Sequence, residues 1–262
     1  MPRLPKTTAL AGLSLATLTA LQLPSGQQGR ALSPAQVAEI LSHFSIVYLD
    51  DGQGGTAKTI RIEGVNLQVV NGQGTTESAN GLGNLIVGYN EFSGQQNDRT
   101  GSHNIVGGRK SNYTSYGGVV AGIMNTISAP YASAPGGSAS TAGGYASSVT
   151  GGHGNSAMGG NAWVSGGNNN VATGLFSVIS GGRQNDATGE LSVVAAGLGN
   201  EATGYASSVL GGALNLAEGQ ESAVLGGRNN LTSKRWASVA GGRFNTASAV
   251  GETVVGPVTF VD

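Results

Sequence analysis

The chain has 262 residues, of which 10% are charged and 46 are glycine, and its formal net charge at pH 7 is −1. So few charges, without an excess of basic residues, argue against a nucleic-acid partner, because phosphate binding needs a positively charged face. The sequence contains no cysteine, which excludes disulfide bonds, thiol nucleophiles and cysteine metal sites.

Residues 1–31 are predicted to be a secretory signal peptide. Two basic residues precede an apolar stretch from Ala9 to Leu23, which is too short and too rich in Thr and Ser for a membrane span. Cleavage after Ala31 would make Leu32 the first residue of a mature chain without a membrane span. A disordered N-terminal tail is the alternative interpretation. The signal interpretation predicts a protein that is secreted or held at the cell surface.

Residues 32–79 are predicted to form a small α+β cap. Ser33 and Pro34 are typical of a helix start, and apolar residues continue at helical spacing as far as Phe44. One copy of this helix cannot bury its apolar face alone, so we expect it to pack on a sheet or on symmetry-related copies. Alternating apolar residues predict strands at 46–49, 60–62 and 65–69.

A repeat of fifteen residues occupies most of residues 80–257. Its marker is a glycine that recurs at a constant interval from Gly122 to Gly242. An asparagine usually stands three positions after the marker, and an alanine usually stands five positions after it. A β-branched residue stands three positions before it, at Val119, Val149, Val164, Ile179, Val194, Val209, Val224 and Val239.

This short repeat, rich in strand formers and glycine, predicts an all-β fold in which each unit is one coil of a parallel β-roll, or β-solenoid. Because side chains alternate along a strand, we expect one valine and one alanine per coil in the core, flanked by Gly and Ser. Glycines should form the two corners, and the asparagines should stack as an amide ladder. About eleven coils between residues 95 and 257 would make a rod roughly 50 Å long. Residues 258–262 are predicted as its C-terminal cap.

The string Ser-Val-x-Gly-Gly-x-x-Asn-x-Ala-x-Gly, found at 148–159 and 208–219, resembles the head repeats of trimeric autotransporter adhesins, the YadA-like or Hep/Hag heads. The resemblance covers about residues 80–257 and implies a left-handed parallel β-roll built from three chains. It also implies attachment to extracellular matrix or other surfaces. Two features depart from that family. The repeat here has fifteen residues, one more than the usual fourteen. We also expect a head without the family's coiled-coil stalk and membrane anchor.

Two irregularities in the repeat are the candidate binding sites, because recognition often uses loops carried by a rigid frame. Gly88 lies nineteen residues before Gly107, which predicts about four additional residues within 89–103. This insertion is equally compatible with an adapter between the cap and the roll. The second irregularity replaces a corner glycine with lysine. The candidate ligand-binding residues are Phe92, Gln95, Gln96, Asp98, Arg99, Lys234, Arg235 and Trp236.

Catalysis is not predicted, and no cofactor or metal ion is expected. The three histidines lie far apart in the sequence and none belongs to a catalytic motif. A G-x-G-x-x-A string at 152–157 matches the dinucleotide fingerprint, but it recurs at the same position of another coil, at 197–202, and is therefore a product of the repeat.

The sequence therefore favours an adhesin-like homotrimer that is secreted or surface-exposed and that attaches to a matrix protein or a glycan. A structural fibre or tail-spike-like rod is the main alternative. An ice-binding solenoid and a polysaccharide-acting enzyme are two further ones. Ice binding would need a persistent threonine column, and the aligned Thr173, Thr188 and Thr203 are followed by Glu218.

Overall fold

The structure is a computed structural model that describes residues 31–92 and 97–256. The predicted signal peptide up to residue 30 and the predicted C-terminal cap at 258–262 lie outside the described residues. The chain divides into two compact units, and the boundary falls between Leu67 and Gln68. Residues 68–79, which the sequence assigns to the N-terminal cap, therefore belong to the second unit.

The first unit contains one helix and one hairpin. Helix α1, Pro34–Ser42, begins with a capping box in which the Ser33 hydroxyl accepts from the Gln36 amide and the Gln36 side chain accepts from the Ser33 amide. Strands β1, Phe44–Asp50, and β2, Thr56–Ile62, then pair antiparallel. The predicted helix start and the first two predicted strands are confirmed.

Two predictions for this unit are wrong. Phe44 does not extend the apolar face of the helix, because α1 ends at Ser42 and Phe44 begins β1. Residues 65–69 form no strand. The sheet remains two-stranded, β1 with β2, so the alternating pattern of residues 65–69 is not accompanied by strand pairing.

The second unit is a β-solenoid of about ten turns with two parallel sheets, as the sequence predicts. One sheet has twelve strands, one per coil. In chain order they are β3 Leu85–Val87, β4 Ile105–Gly107, β6 Val119–Val120, β8 Ser133–Ala134, β10 Ser148–Val149, β12 Trp163–Val164, β14 Val178–Ile179, β16 Val193–Val194, β18 Ser208–Val209, β20 Ala223–Val224, β22 Ser238–Val239 and β24 Thr253–Val254.

The other sheet has ten strands, which alternate along the chain with those of the first sheet. They are β5 Asn112–Tyr113, β7 Thr126–Ile127, β9 Thr141–Ala142, β11 Ser156–Ala157, β13 Val171–Ala172, β15 Asp186–Ala187, β17 Glu201–Ala202, β19 Leu216–Ala217, β21 Leu231–Thr232 and β23 Thr246–Ala247. Each strand contributes only two residues, so the ladder continues through single bridges at the corners.

The core is a pair of side-chain columns that run along the roll axis. Val149 pairs with Val164 in one sheet and Ala157 pairs with Ala172 in the other, and all four side chains are fully buried. A third buried column, of Ser or Ala, precedes the valine, as at Ser147. The predicted core of one valine and one alanine per coil is confirmed for most coils from Val149 onward, whereas in the first coils the second sheet buries the larger Tyr113 and Ile127. Because so little apolar area is buried per coil, stability depends on repetition along the axis.

The first coils of the roll are fourteen residues long, not fifteen. Val106 pairs with Val120, and Val120 pairs with Ala134, at intervals of fourteen residues. The buried residue in this coil is Val120, whereas the predicted Val119 is only half-buried. In the fifteen-residue coils the buried residue stands three positions before the marker glycine. In this shorter coil it stands two positions before Gly122, at Val120, and is therefore one residue closer to the corner.

The asparagine column is a ladder that differs from the predicted amide stack. The side-chain oxygen of Asn155 accepts from the backbone amide of Asn170, at 2.9 Å. The side-chain nitrogen of Asn170 donates to the carbonyl oxygens of Gly166 and Gly182, at 2.9 and 3.1 Å. Each buried amide therefore bonds mainly to the backbone of its own coil and of the next one. These bonds satisfy polar groups of the corner that the protein interior would otherwise leave unpaired.

Serine replaces asparagine at two positions of this column, Ser111 and Ser140. Ser140 performs part of the same task. The Ser140 amide donates to the side-chain oxygen of Asn125 at 2.9 Å, and the Ser140 hydroxyl accepts from the Asn155 amide at 3.2 Å. Serine can accept this bond but is too short to reach two carbonyl groups. The ladder therefore continues through Ser140 with fewer bonds.

Both corners leave no space for a Cβ, and the marker corner adds a conformational requirement. The marker glycine Gly182 has a positive φ of +87°, which favours glycine, and a Cβ on it would lie 2.4 Å from the Gly197 carbonyl oxygen. At the second corner space is the one constraint: a Cβ on Gly189 would lie 2.1 Å from the Gly204 carbonyl oxygen of the next coil. Neighbouring coils thus come into direct backbone contact along both corners.

We expect Gly189→Ala to lower the free energy of unfolding by at least about 2 kcal/mol, because the methyl group forces two coils apart. Gly226→Ala is the matched control, since a Cβ there meets no atom within 4 Å and no positive φ has to be kept. We expect this control to be neutral or slightly stabilising. Thermal unfolding followed by circular dichroism compares the two. Equal melting temperatures would contradict the close approach at Gly189.

Candidate functional site

The insertion at the start of the roll is larger than the sequence predicts. Leu85 pairs with Ile105 at an offset of twenty residues, whereas Ile105 pairs with Val119 at an offset of fourteen. The coil that begins at Leu85 therefore contains six additional residues, not about four. The marker glycine Gly88 stacks on Gly108, one residue beyond the predicted Gly107.

The regular path of the coil is interrupted at one corner, between Asn90 and Asp98, so the added residues fall within 91–97 of the sequence. Asn90 and Lys110 occupy equivalent positions, with φ of 42° and 61°. On the other side of the corner, the Asp98 amide donates to the Asn112 side-chain oxygen at 3.2 Å. One residue separates Lys110 from Asn112, whereas seven separate Asn90 from Asp98. The rest of the predicted 89–103 segment follows the regular path of a coil.

Asp98 and Arg99 consequently belong to the coil and hold the end of the insertion. The Asp98 carboxylate accepts from the amide and the hydroxyl of Thr100, at 3.2 and 2.7 Å. The half-buried Arg99 guanidinium donates to the Glu91 carbonyl oxygen at 2.9 Å and to the Asn97 side-chain oxygen at 3.4 Å. These bonds close the corner. Both side chains therefore position the insertion, and a ligand would have to compete with these bonds.

Aromatic side chains at the insertion are better placed for direct contact. Phe92 is 70% exposed, and Tyr89, which the candidate set omits, is 95% exposed. The other two candidates in this segment, Gln95 and Gln96, lie outside the described residues. Exposed rings can stack on sugars or on apolar side chains. The described part of the insertion thus offers two aromatic surfaces next to a rigid corner.

The second candidate region, Lys234 to Trp236, forms a compact cluster with Glu221 of the preceding coil. The Trp236 indole donates to the Glu221 carboxylate at 2.8 Å, and the Arg235 guanidinium lies 3.4 Å from the same carboxylate. The indole bond and then Arg235 lower the pKa of Glu221. Arg235 also lies 4.1 Å from the centroid of the indole ring.

This geometry changes what the cluster can do. Arg235 covers one face of the Trp236 ring and pairs with Glu221, so a ligand would have to compete with these contacts for its guanidinium group. Lys234 is exposed and makes no ion pair within the described part of the chain. The cluster can present one indole face and one ammonium group. Trp236, 51% exposed, is held in the left-handed region at φ 59°, an unfavourable conformation for a bulky residue.

The structure does not bring the two candidate regions together. Arg99 precedes β5, the first strand of the ten-stranded sheet, and Lys234 follows β21, the ninth strand of that sheet. About nine coils separate them, which is roughly 40 Å at the spacing of neighbouring strands. One small ligand cannot contact both regions, but a long ligand or a broad surface can.

A column of cations, which the sequence analysis missed, runs along the corner that follows the marker glycine. Single parallel bridges join one residue per coil in the order Arg109, Ile123, Ser138, His153, Asn168, Arg183, Leu198, Ala213, Arg228 and Arg243. Four of these ten residues are arginine, and Lys110 follows Arg109. We call Arg109, Lys110, Arg183, Arg228 and Arg243 the basic edge. Each residue of the bridged column directly follows a corner glycine, so the spacing of the glycines could have placed this column. Its residue type varies from coil to coil, however, and no repeated residue draws attention to it.

Acidic and aromatic residues lie elsewhere around the coil. Asp186 and Glu201 are outward-facing neighbours on β15 and β17, and burial, followed by the Glu201 charge, raises the pKa of Asp186. Tyr131 packs edge-on between Tyr116 and Tyr145, with ring centroids 5.5 and 5.7 Å away. Burial, followed by a nearby carboxylate, raises the pKa of the Tyr131 hydroxyl.

A surface cavity of about 580 Å³ lies where the second unit begins. It is lined by backbone and side chains of residues 68–76 and by His103. The Nε2 atom of His103 accepts from the Asn71 amide at 3.2 Å, and its Nδ1 atom faces the Thr76 carbonyl oxygen at 3.1 Å. An amide can only donate and a carbonyl can only accept, so these two contacts fit the tautomer that carries its proton on Nδ1. His103 is thereby fixed as a bridge between two loops.

The other histidines also have structural partners. His43 Nδ1 lies 3.0 Å from the Glu63 carbonyl oxygen, and His153 Nδ1 lies 3.0 Å from the Ser138 hydroxyl. Within residues 31–92 and 97–256, no three His, Asp or Glu side chains are grouped as metal ligands would be. No helix in the same part of the chain is long and apolar enough to span a membrane.

Comparison with known proteins does not assign a family. No family model matches the chain, and no curated protein matches it significantly.

Proposed function

We propose that this chain is the binding head of a secreted or surface-exposed, adhesin-like homotrimer that attaches to a matrix protein or a glycan. The observation that carries the proposal is the insertion at residues 91–97, which interrupts an otherwise uniform and rigid scaffold. A uniform repeat offers many equivalent contacts but little discrimination, so selective binding needs an irregular segment. The exposed Tyr89 and Phe92 at this corner supply rings for such contacts.

The first unit supports self-association. No residue between 31 and 67 is buried, although apolar side chains are abundant there. A chain of this length rarely folds alone, and a two-stranded sheet with one short helix is marginal in water. The exposed apolar residues are Leu32, Val37, Ile40, Leu41, Phe44, Ile46, Tyr48, Leu49, Ile60, Ile62, Val65 and Leu67. Two further copies of the chain would supply the missing contacts.

The repeat motif adds support for the same architecture. The first coils have fourteen residues, which is the usual repeat length of trimeric adhesin heads. The later coils have fifteen residues, with the additional residue at the glycine corner. The proposal assigns no catalytic step to the chain. The histidines that could act as bases are held by structural hydrogen bonds.

We expect sedimentation equilibrium of the chain from Leu32 onward to give three times the monomer mass at micromolar concentration. Leu41→Asp, which puts a charge at a residue that is 62% exposed in the single chain, should shift the mass toward the monomer. Ser42→Asp on the same helix is the control for charge alone and should remain trimeric. A wild-type monomer at this concentration contradicts the homotrimer.

Attachment is tested by replacing residues 91–97 with one serine, which gives this coil the length of the coil that follows. We expect the shortened protein to keep the circular dichroism spectrum and mass of the wild type. We also expect it to lose at least about tenfold in affinity for the matrix protein or glycan that the wild type selects from an array, or about 1.4 kcal/mol. Unchanged affinity would identify the insertion as an adapter. Failure of the wild type to bind any matrix protein or glycan would contradict the proposed function.

A further inference from the structure

The basic edge is a straight row of unpaired cations. Its arginines occupy one bridged column, so their backbones lie one above another along the roll axis. Arg109 and Arg243 are nine coils apart, which is roughly 43 Å, and Arg228 and Arg243 are on adjacent coils at about 4.8 Å. All four arginines are exposed. In the described part of the chain the one ion pair is that of Arg235 with Glu221, so no carboxylate lies within 4.0 Å of these guanidinium groups.

Charge is segregated around the coil. Residues 105–256 contain seven Lys and Arg residues, and five of them form the basic edge. The same residues contain six carboxylates, and none of them lies in the bridged column or directly after it. Like charges on adjacent strands destabilise a sheet. The pair Arg228 and Arg243 therefore lowers stability, and no carboxylate of the described chain neutralises it. Arg243 also contacts the Phe244 ring, whose centroid lies 5.7 Å from the guanidinium carbon.

The neighbours of the basic edge are suited to a polar, narrow ligand. Amide side chains stand in the same column or directly after it, at Asn168, Asn169, Gln184 and Asn229. The marker glycines precede the column, so no side chain crowds the arginines from that side. Amides bond to hydroxyl groups, and guanidinium groups bind sulfate or carboxylate with two parallel hydrogen bonds.

We infer that the basic edge binds a single extended chain of an anionic polysaccharide, aligned with the roll axis. The inference rests on the proposed function and names the ligand class for the binding head. A nucleic-acid duplex needs a broad basic face, whereas this row is one or two residues wide. Single-stranded nucleic acid needs a series of aromatic platforms, whereas Phe244 is the one aromatic side chain directly after the column.

Three variants of the full chain, each of which removes two positive charges, test this inference. R228Q/R243Q changes the basic edge, K234Q/R235Q changes the other cationic region, and K58Q/R61Q changes exposed residues of β2. The probe is a fluorescent heparin oligosaccharide, a linear sulfated polysaccharide, whose affinity is measured by anisotropy at several salt concentrations. Neutral dextran and a single-stranded oligothymidylate of similar length are the comparison ligands.

We expect the wild type to bind heparin with an affinity that falls as salt rises, and to bind dextran and the oligothymidylate much more weakly. R228Q/R243Q should weaken heparin binding about tenfold or more, and K58Q/R61Q should leave it unchanged. Circular dichroism and sedimentation of each variant show whether the fold and the oligomeric state persist.

Several results would overturn the inference. Equal losses in R228Q/R243Q and K58Q/R61Q would show a net-charge effect, and a loss confined to K234Q/R235Q would place binding at the Trp236 cluster. Binding of the oligothymidylate as tight as that of heparin would make the ligand class wrong. A changed sedimentation mass for R228Q/R243Q, with heparin binding unaffected, would make the edge a contact between copies. A wild type that ignores heparin but attaches to a matrix protein would refute this inference and leave the proposed function standing.

Discussion

Val209→Asp unfolds the part of the roll that contains it and lowers the melting temperature of the whole chain. Val209 is fully buried in the valine column, between Val194 and Val224 of the adjacent coils. An aspartate there places a charge in a core that holds apolar and small side chains, without a cation to pair with it. The penalty for burying an unpaired charge is on the order of 5 kcal/mol or more, which rivals the total stability of many domains.

The repeat architecture decides how far this damage spreads. Each coil contacts only its neighbours, so a solenoid can lose coils on one side of a defect while it keeps those on the other. About three coils remain beyond Val209, the smallest number that usually supports such a stack. We therefore expect the C-terminal coils to unfold with the mutated one. Far-ultraviolet circular dichroism and thermal melting measure the loss.

Leu210→Asp is the matched control for Val209→Asp. Leu210 is the next residue, it is 50% exposed, and it faces away from the core. The Leu210→Asp substitution introduces the same charge into the same coil and should leave the melting temperature within a few degrees of the wild type. Wild-type melting of Val209→Asp would mean that the valine column does not face inward.

The core of the roll could be predicted from the sequence because its columns are chemically uniform. Valine recurs at the inward position of one sheet and alanine at that of the other, and a solenoid is the fold that makes a fifteen-residue period structural. The prediction is wrong at Val119 because counting from the marker glycine assumes a constant corner length. Where the coil is one residue shorter, the inward position moves to Val120. Hydrophobicity could not distinguish two adjacent valines.

The candidate site was only partly predictable, because it depends on register. The pairing of residues between coils determines where the insertion lies within 89–103. This pairing shows that Asp98 and Arg99 belong to the regular coil and not to the insertion. Repetition also hid the basic edge, since its column contains seven residue types in ten coils. A search for repeated residues finds what the fold requires. Ligand binding can evolve at the outward positions, because the fold does not constrain their residue type.

Asn200→Asp tests the asparagine ladder with a change of one group, from an amide to a carboxylate of the same shape. The Asn200 side-chain nitrogen donates to the carbonyl oxygens of Ala196 and Gly212, at 2.9 and 3.1 Å, and the side chain is fully buried. A carboxylate oxygen in its place would face two carbonyl oxygens without a proton to share. Losing two buried hydrogen bonds and adding a buried charge should lower the free energy of unfolding by several kcal/mol, about 3 or more, at neutral pH.

The effect of Asn200→Asp should depend on pH in a defined direction. Burial and the facing carbonyl groups disfavour the ionised form, so the pKa of the new carboxyl group is raised in the folded chain. Its destabilising effect is therefore largest above that pKa and decreases as the pH falls through it, because the protonated group can again donate to one carbonyl. Asn169→Asp, at an exposed position of the adjacent column, is the control and should differ little from the wild type. Denaturant unfolding of the three proteins at neutral pH and near pH 4 provides the comparison. If the difference in unfolding free energy between Asn200→Asp and the wild type stays constant across this range, the side-chain nitrogen of Asn200 does not join its own coil to the next one.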